Sequence, residues 1–448
     1  MDTNSLMERK TIMSLFLGPM RTHIPGHRDL TNRSDVKALM PKEKVYIPLC
    51  TGNNTDYEVL VQEGDHVDAG TKLAVTKSGF EIPLFSSVSG TYKGIVKKPH
   101  SSLKPQNHMV IELSKEQKRI QSFEPMDWQS ATREQMVEFM KHTGIIGQGG
   151  AGFPTYVKYT NLPPIDTMVI NAVECEPYIT ADYKCIMDRP VSFIHGCRIL
   201  QKMAGAPKVW IAIKDNHPDT VKVIEQEIAR EGLGDIEVKP LASMYPMGSE
   251  RSIVYYLFNK RIEKLPSEVG VVVSNSGTAI LAAEAFEKGY AQAFKFCTMS
   301  GEALNYPTNV WVPIGMEVKE IIEQIGGLNG QLDSCKLIAG GPMMGKTMVS
   351  DMFVIDRINN AVVALPNVEV PSMTCMRCGN CSAYCPVGLQ PVRIAAAVKS
   401  NDVAEMEKRG CLDCIECGLC TYVCPSKIQV TENVRRAKRT VLMKKNKK

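Results

Sequence analysis

The sequence predicts a multidomain α/β protein, and three observations carry that expectation. Residues 44–113 read as short strands separated by turn signals, residues from Thr132 onward alternate strand and helix patterns, and two dense cysteine runs close the chain. At 448 residues there is room for about three or four domains, at roughly 100–200 residues each. A hydrophobic content of 44% and a charged content of 23% are those of a globular chain with real cores.

In chain order, residues 1–43 form an N-terminal arm. Arg9 and Lys10 precede an apolar stretch at 12–17, but it is too short for a signal-peptide core and lacks a small-residue cleavage pattern, so no secretion signal is expected. Residues 44–115, with VYIPL, TKLAV, EIPLFSSVSGTYKGIV and HMVIEL, resemble the small β barrel-sandwich of lipoyl and biotinyl carrier domains. Such carriers need a lysine at the hairpin tip. Registering on Gly90 puts Gly79 near that tip and Lys77 two positions away, so an unmodified structural module is expected.

Residues 125–300 predict an α/β layer with a largely parallel sheet. Thr132 and Gln135 make a capping box for a helix running to His142. Strands are expected at 167–173, 209–213 and 269–273, and amphipathic helices at 192–204, 219–231, 249–260 and 278–288. Residues 305–360 read as a small α+β unit, and 366–432 as a cysteine-rich module. Within that module 392–399 is helical, and Asp402 with Glu405 caps a second short helix. Residues 433–448 read as a basic tail whose lysines 444, 445, 447 and 448 form a solvated end or attract anionic lipid or an acidic electron carrier weakly.

The two cysteine runs are Cys375, Cys378, Cys381 and Cys385 before Pro386, and Cys414, Cys417, Cys420 and Cys424 before Pro425. Both have the C-x-x-C-x-x-C-x-x-x-C-P spacing of two-cluster bacterial ferredoxins, in which the fourth cysteine of each run ligates the other cluster. On that pattern one [4Fe-4S] cluster takes Cys375, Cys378, Cys381 and Cys424, and the other takes Cys414, Cys417, Cys420 and Cys385. Zinc is the alternative for four thiolates, although zinc sites usually show two separated C-x-x-C knuckles. Cys411 matches no ferredoxin position and reads as a spare thiol or a substitute ligand. With eight of fifteen cysteines in these runs and the rest scattered, the chain is no disulfide scaffold, and a reducing cytosol is expected. No apolar run approaches the roughly 20 residues of a membrane helix, so any membrane attachment is expected to be peripheral. The net charge of +5 is modest, and no nucleic-acid partner is expected.

A second chemical signal lies at residues 147–158, GQGGAGFPTYVK. Gly147, Gly149, Gly150 and Gly152 remove the β-carbons that would keep main-chain N–H groups from a flat ring or a phosphate. Pro154 suits the start of a helix whose N-terminus favours an anion, and Lys158 adds a positive charge one turn in. By itself the loop could equally be a plain tight turn.

Together with NAVECEPYIT from Asn171, YPMGSE from Tyr245 and VVVSNSGTA from Val271, this loop resembles the flavin-binding domain shared by the FMN subunit of respiratory NADH dehydrogenase and the RnfC component of the Rnf ferredoxin:NAD oxidoreductase. RnfC matches more of the chain: an arm with a His-x-Pro element (here His23 and Pro25), a barrel-sandwich, a Rossmann-like FMN-binding α/β domain, a small SLBB domain and a double [4Fe-4S] ferredoxin module. The second cysteine run, CIECGLCTYVCPS, is especially similar.

The resemblance implies that the glycines of 147–152 back the FMN ring, that Lys158 contacts FMN and that Phe153 stacks near NADH. It places Asn171 and Glu174 at the ribityl-phosphate and flavin edge, Gly248 and Glu250 at the nicotinamide side, and Asn275 and Thr278 by the FMN phosphate. Gln148 stands where complex I has arginine, and Val173 where it has aspartate; both fit the Rnf-like branch. Read without the resemblance, Glu174 and Glu250 could be helix caps or surface carboxylates, and Phe153 could be core packing.

The function implied is electron transfer between NAD(H), FMN and two [4Fe-4S] clusters, without an acid, base or nucleophile of the protein's own. NADH gives two electrons at once, clusters take one, and FMN exchanges either way. Implied partners are the membrane subunits of an Rnf-type complex and ferredoxin or another electron carrier, and the implied location is the cytoplasmic face of the membrane. Two alternatives stand beside this: a soluble relative such as the microcompartment cobalamin reductase or the electron-transfer protein of proline reductase, and a non-catalytic relay protein with a vestigial flavin pocket.

Overall fold

A computed structural model describes residues 24–445 apart from residue 151. His23, the basic pair Arg9 and Lys10, the apolar stretch 12–17 and Lys447 and Lys448 lie outside the described residues.

The barrel-sandwich consists of two antiparallel sheets. One runs in the order Lys44–Pro48, Gln106–Leu113, Gly90–Lys98, His66–Val67; the other in the order Tyr57–Val59, Lys72–Thr76, Pro83–Phe85. Alternating inward residues such as Val45, Ile47, Leu73, Met109 and Ile111 fill the space between them. Gly79, at φ +74°, lies between the strands Lys72–Thr76 and Pro83–Phe85.

In the α/β layer a four-stranded parallel sheet runs Ile236–Leu241, Val209–Lys214, Thr167–Ala172, Val271–Asn275. Its central strands are apolar on both faces, as helices on both sides require. Met168 and Ile170 pack under the helices Pro190–Ala204 and Ser276–Lys288, while Val169 packs against the helix Glu250–Phe258 on the other side. The first two helices cross so closely that a β-carbon on Gly196 would sit 1.8 Å from the Ala279 carbonyl oxygen. The capping box at Thr132 and Gln135 is formed, both reciprocal bonds included, and the helix Arg133–Thr143 follows it. The strand expected at 269–273 starts later, at Val271, because Pro266–Val269 makes a 3₁₀ turn ended by Gly270 at φ +74°. The edge strand Ile236–Leu241 and the short helix Ala181–Asp188 were not foreseen.

The small α+β unit is larger than its expected bounds. A six-stranded sheet runs Val36–Ala38, Thr308–Pro313, Phe294–Ser300, Ala361–Pro366, Cys335–Ala339, Lys346–Met348. Phe294–Ser300, assigned from sequence to the α/β layer, pairs antiparallel with Thr308–Pro313 instead, and Val36–Ala38 of the arm adds a parallel strand at the edge. The boundary at 300–305 therefore falls inside a hairpin.

In the C-terminal module the helices Pro391–Lys399 and Val403–Lys408 are present, with the Asp402 carboxylate accepting from the Glu405 amide. The basic tail needs correction: residues up to Lys445 belong to the helix Val430–Lys445, which buries Val430, Val434, Ala437 and Val441. Ile394, Ala397, Met406 and Cys411 complete this core, so Cys411 is a packed thiol. The two cysteine runs fold alike. Arg377 and Glu416 take φ of 58° and 57°, and Gly379 and Gly418 take 84° and 82°, each pair at equivalent positions before a short helix, Asn380–Ala383 or Leu419–Tyr422. Among the described residues no helix is long and apolar enough to cross a membrane.

Candidate flavin crevice and cluster loops

The crevice lies at the carboxyl ends of the parallel strands, where open α/β sheets bind ligands. The loop 147–153 is closed by the Gly147 amide donating to the Phe153 carbonyl (2.8 Å), and Gln148 is pinned by its own amide donating to Thr278 Oγ1 (3.1 Å). Gly150 at φ +113° has nothing among the described residues within 4 Å of a β-carbon position, so the loop presents open space there. Gly149 lies against Asn275. Phe153 is not core packing: it is 43% exposed and meets Phe80 of the barrel edge-on, with centroids 5.6 Å apart. Pro154 caps the short helix Thr155–Tyr159.

Lys158 and Glu250 come together from opposite sides. The ammonium donates to Glu250 Oε1 (3.1 Å) and to the Val273 carbonyl (2.7 Å). Asn171 lies in the last pleat of its strand, with the side-chain amide nitrogen donating to the Gly248 carbonyl (3.0 Å) and the side-chain oxygen accepting from the Val173 amide (3.0 Å). Gly248 cannot carry a side chain, since a β-carbon would sit 2.6 Å from the Val173 carbonyl. Asn275 caps the helix Ser276–Lys288 by accepting from the Gly277 amide (2.8 Å), and its amide donates to Asp182 Oδ2 (3.1 Å).

Glu174 is buried, with Oε1 accepting from the Asp182 amide (2.9 Å) and Oε2 without a partner among the described residues. Burial, and then the neighbouring Asp182, push its carboxyl up to about 8. Ser276 Oγ, at the helix N-terminus, is a second buried oxygen without a partner among the described residues. Two unpaired buried oxygens, a helix N-terminus and a side-chain-free loop are what a polar-edged ring with a phosphate tail would use, so the residues fit FMN. Direct contacts join Gly149 to Asn275, Thr278 to the loop through Gln148, Lys158 to Glu250 and Asn171 to Gly248, while Gly152 faces Ile358 and Phe153 faces Phe80 of the barrel.

Several others escaped the sequence. Arg28 of the arm donates to the carbonyls of Glu174 and Glu176 (2.8 Å each), clamping the NAVECEP loop from outside. Asp182, Gln292 and Lys295 lie beneath the glycine loop. Glu176 and Tyr245 stood within motifs already singled out, but nothing local marked Arg28 or Lys295.

In the cluster module, Cys385, Cys414, Cys417 and Cys420 line one cavity together with Pro386 and Thr431. This is the crossed set, joining the last cysteine of the first run to the first three of the second. Of the other set, Cys375 and Cys378 are exposed, and Cys381 and Cys424 are partly buried. Residues flanking that set are tied across the two runs: the Met373 amide donates to the Ser426 carbonyl (2.9 Å), and Ser426 Oγ donates to the Thr374 carbonyl (3.1 Å). Among the described residues no three histidine, cysteine or carboxylate side chains are grouped to hold a single metal ion. The cavity set, lined by four thiols, fits a cluster.

The cluster loop and the crevice touch. Tyr245 Oη, three residues before Gly248, donates to the Cys417 carbonyl (2.6 Å). Glu176 accepts from the Met343 amide (3.2 Å), and Met343 in turn abuts Gly418.

A flavin crevice and two cysteine loops on one chain define an electron-transfer flavo-iron–sulfur protein. Family profiles agree part by part: an RnfC barrel sandwich hybrid domain matches residues 20–116, the Nuo51 FMN-binding domain 140–284, an SLBB domain 296–347 and a 4Fe-4S dicluster domain 374–428. The chain belongs to the RnfC family, found in the ion-translocating ferredoxin:NAD(+) oxidoreductase complexes. It is 30% identical to the RnfC-type component of the Na(+)-translocating ferredoxin:NAD(+) oxidoreductase complex of Acetobacterium woodii, over 95% of this chain and 97% of that one. It is also 30% identical to the counterpart from the proton-translocating complex of Clostridium ljungdahlii, over 82% and 81%. Among solved structures an NAD+-reducing [NiFe]-hydrogenase in the H2-reduced state shares the fold, with a TM-score of 0.50 and 15% identity, over 72% of this chain and 64% of that chain.

Proposed function

We propose that this chain exchanges electron pairs with NAD(H) at the crevice and single electrons with the partner proteins of a ferredoxin:NAD oxidoreductase complex, on the cytoplasmic face of an ion-translocating membrane assembly. FMN, when bound, supplies the conversion between two-electron and one-electron chemistry that the clusters alone cannot. The glycines of 147–152 give the ring a flat backing, Lys158 and Asn171 hold its polar edge, and Asn275 and Thr278 hold the loop and helix N-terminus where the phosphate would lie. Gly248, Glu250 and Phe153 flank the side left for nicotinamide. Cys385, Cys414, Cys417 and Cys420 hold one cluster, and Cys375, Cys378, Cys381 and Cys424 the other.

The observation that carries this is the Tyr245–Cys417 hydrogen bond. It sets one cluster loop directly against the crevice, the adjacency that electron transfer needs. The outer loop with the exposed Cys375 and Cys378 is then the side turned toward partners.

The test is anaerobic purification followed by iron, sulfide and flavin assays and NADH-driven ferricyanide reduction. About eight iron atoms per chain, bound FMN and NADH turnover are expected. Glu250→Gln should raise KM for NADH while leaving flavin content intact. Flavin-loaded protein that never oxidises NADH, although a reduced partner still fills its clusters, would leave only a relay.

A further inference from the structure

Lys295 is 5% exposed on the strand Phe294–Ser300, yet among the described residues its ammonium has no carboxylate within the 4.0 Å of an ion pair. Lys98, comparably buried, does pair, with Glu317 at 2.6 Å. The hydrogen bond of Lys295 runs instead to a neutral group, Gln148 Oε1, at 2.7 Å. Gln148 sits between Gly147 and Gly149, and both polar atoms of its side chain are engaged on this buried side. Its amide nitrogen donates to Gln292 Oε1 (3.3 Å) and to the Ile146 carbonyl (2.9 Å), and its oxygen also accepts from Gln292 Nε2 (3.1 Å). Lys295 and Asp182 line the same small cavity behind the loop, with Gln148 and Gly277. Asp182 holds Asn275 through its carboxylate and Glu174 through its amide. The glycine loop, the helix cap and the buried glutamate thus hang on one pair of charged groups separated by that cavity.

A buried ammonium without a close counter-charge is unfavourable: burial lowers the pKa of Lys295 while Asp182 across the cavity raises it, so the charge is held where something else uses its field. We propose that Lys295 is a positioning residue for the flavin: through Gln148 it fixes the glycine loop from behind, and its charge favours the more negative, reduced state of a ring held on the loop's open side. The proposal rests on the assignment of 147–158 to the flavin and adds the residue that would tune it.

The test compares wild-type holoprotein with Lys295→Met, Lys295→Arg and the double variant Lys295→Met/Asp182→Asn. FMN titration of the deflavinated protein gives Kd, spectroelectrochemistry gives the flavin midpoint potential, and thermal melts give stability. Lys295→Met should weaken FMN about tenfold and shift the two-electron potential about 30 mV more negative, the equivalent of a tenfold preferential loss of the reduced form. Lys295→Arg should restore the potential. The double variant removes both buried charges, so it should recover the melting temperature while FMN stays weakly bound, because the loop still lacks the Lys295 hydrogen bond to Gln148. It also decides the matter should Lys295→Met fail to fold. Recovery of Kd along with stability in the double variant would reduce Lys295 to a packing role and overturn the proposal, as would an unchanged Kd and potential in folded Lys295→Met. Wild-type protein that takes up no FMN would overturn the flavin assignment itself, and this inference with it.

Discussion

Glu174 has an oxygen bonded to the Asp182 amide, another with no partner among the described residues, and a carboxyl pushed up to about 8 from an ordinary 4.5. The folded chain therefore keeps a proton that the unfolded chain releases. The stability this contributes is complete below pH 4.5 and is lost as pH rises through 8. Glu174→Gln removes the titration and still accepts from the Asp182 amide, so the apoprotein variant should match wild type near pH 4.5–5 and melt at a higher temperature than wild type at pH 8.5. Melts across that range check it; a difference that does not grow with pH would mean another group carries the proton. Gly150 is a second case. With φ at +113° and open space opposite, Gly150→Val strains the loop and fills the face left for the ring. FMN should be lost while iron content stays at the wild-type level, which flavin absorbance and an iron assay resolve in one preparation. Both residues were legible in the sequence because their chemistry is local: a glycine cluster removes side chains wherever it folds, and a motif fixes its neighbours. Lys295 was not, since its partner Gln148 is 147 positions away and only the fold brings them together.

At the scale of elements, the helix Val430–Lys445 decides whether the cluster module keeps its shape. Val430, Val434, Ala437 and Val441 recur at helical spacing and close the core over Ile394 and Met406. Its polar side reaches back to the loop below, with Lys438 donating to the Cys414 carbonyl (2.8 Å) and to Glu416 (3.0 Å). Ala437→Glu puts an unpaired carboxylate in that core, at a cost of several kcal/mol. The variant should lose iron although no cysteine is touched, and limited proteolysis should cut the module first. Full iron in a stable variant would show that the helix is dispensable. The apolar spacing was present in the sequence, but the surrounding lysines and arginines gave a stronger charge signal and suggested a tail. The parallel strands and their helices were readable from periodicity. The edge strand Ile236–Leu241 was not, because with one face half-exposed and Pro240 within it, its pattern is broken. Nor was the pairing of Val36–Ala38 with Thr308–Pro313, which spans most of the chain and leaves no local trace.

For the whole molecule, the question is how four units of different architecture hold their reactive parts in register. The arm clamps the crevice through Arg28, the SLBB unit meets it where Met343 donates to Glu176, and the cluster module meets it where Tyr245 donates to Cys417. Gly418 has no room for a side chain, since a β-carbon would lie 2.5 Å from the Met343 carbonyl, so three units press on a few residues around one cluster loop. Tyr245→Phe removes a single hydroxyl from that junction and leaves the ring that packs with Leu419. A neutral hydrogen bond contributes about 1 kcal/mol, which is roughly a fivefold change in the opening equilibrium of the loop. Amide exchange across residues 411–420 should accelerate by about that factor, with FMN and iron content unchanged. NADH-driven reduction of the clusters, followed by rapid mixing, should slow, because the loop spends more time away from the crevice. If exchange quickens while the reduction rate stays at the wild-type value, the junction holds the units together without setting the rate. If exchange is unchanged, the junction is held by its apolar packing and the hydroxyl is dispensable.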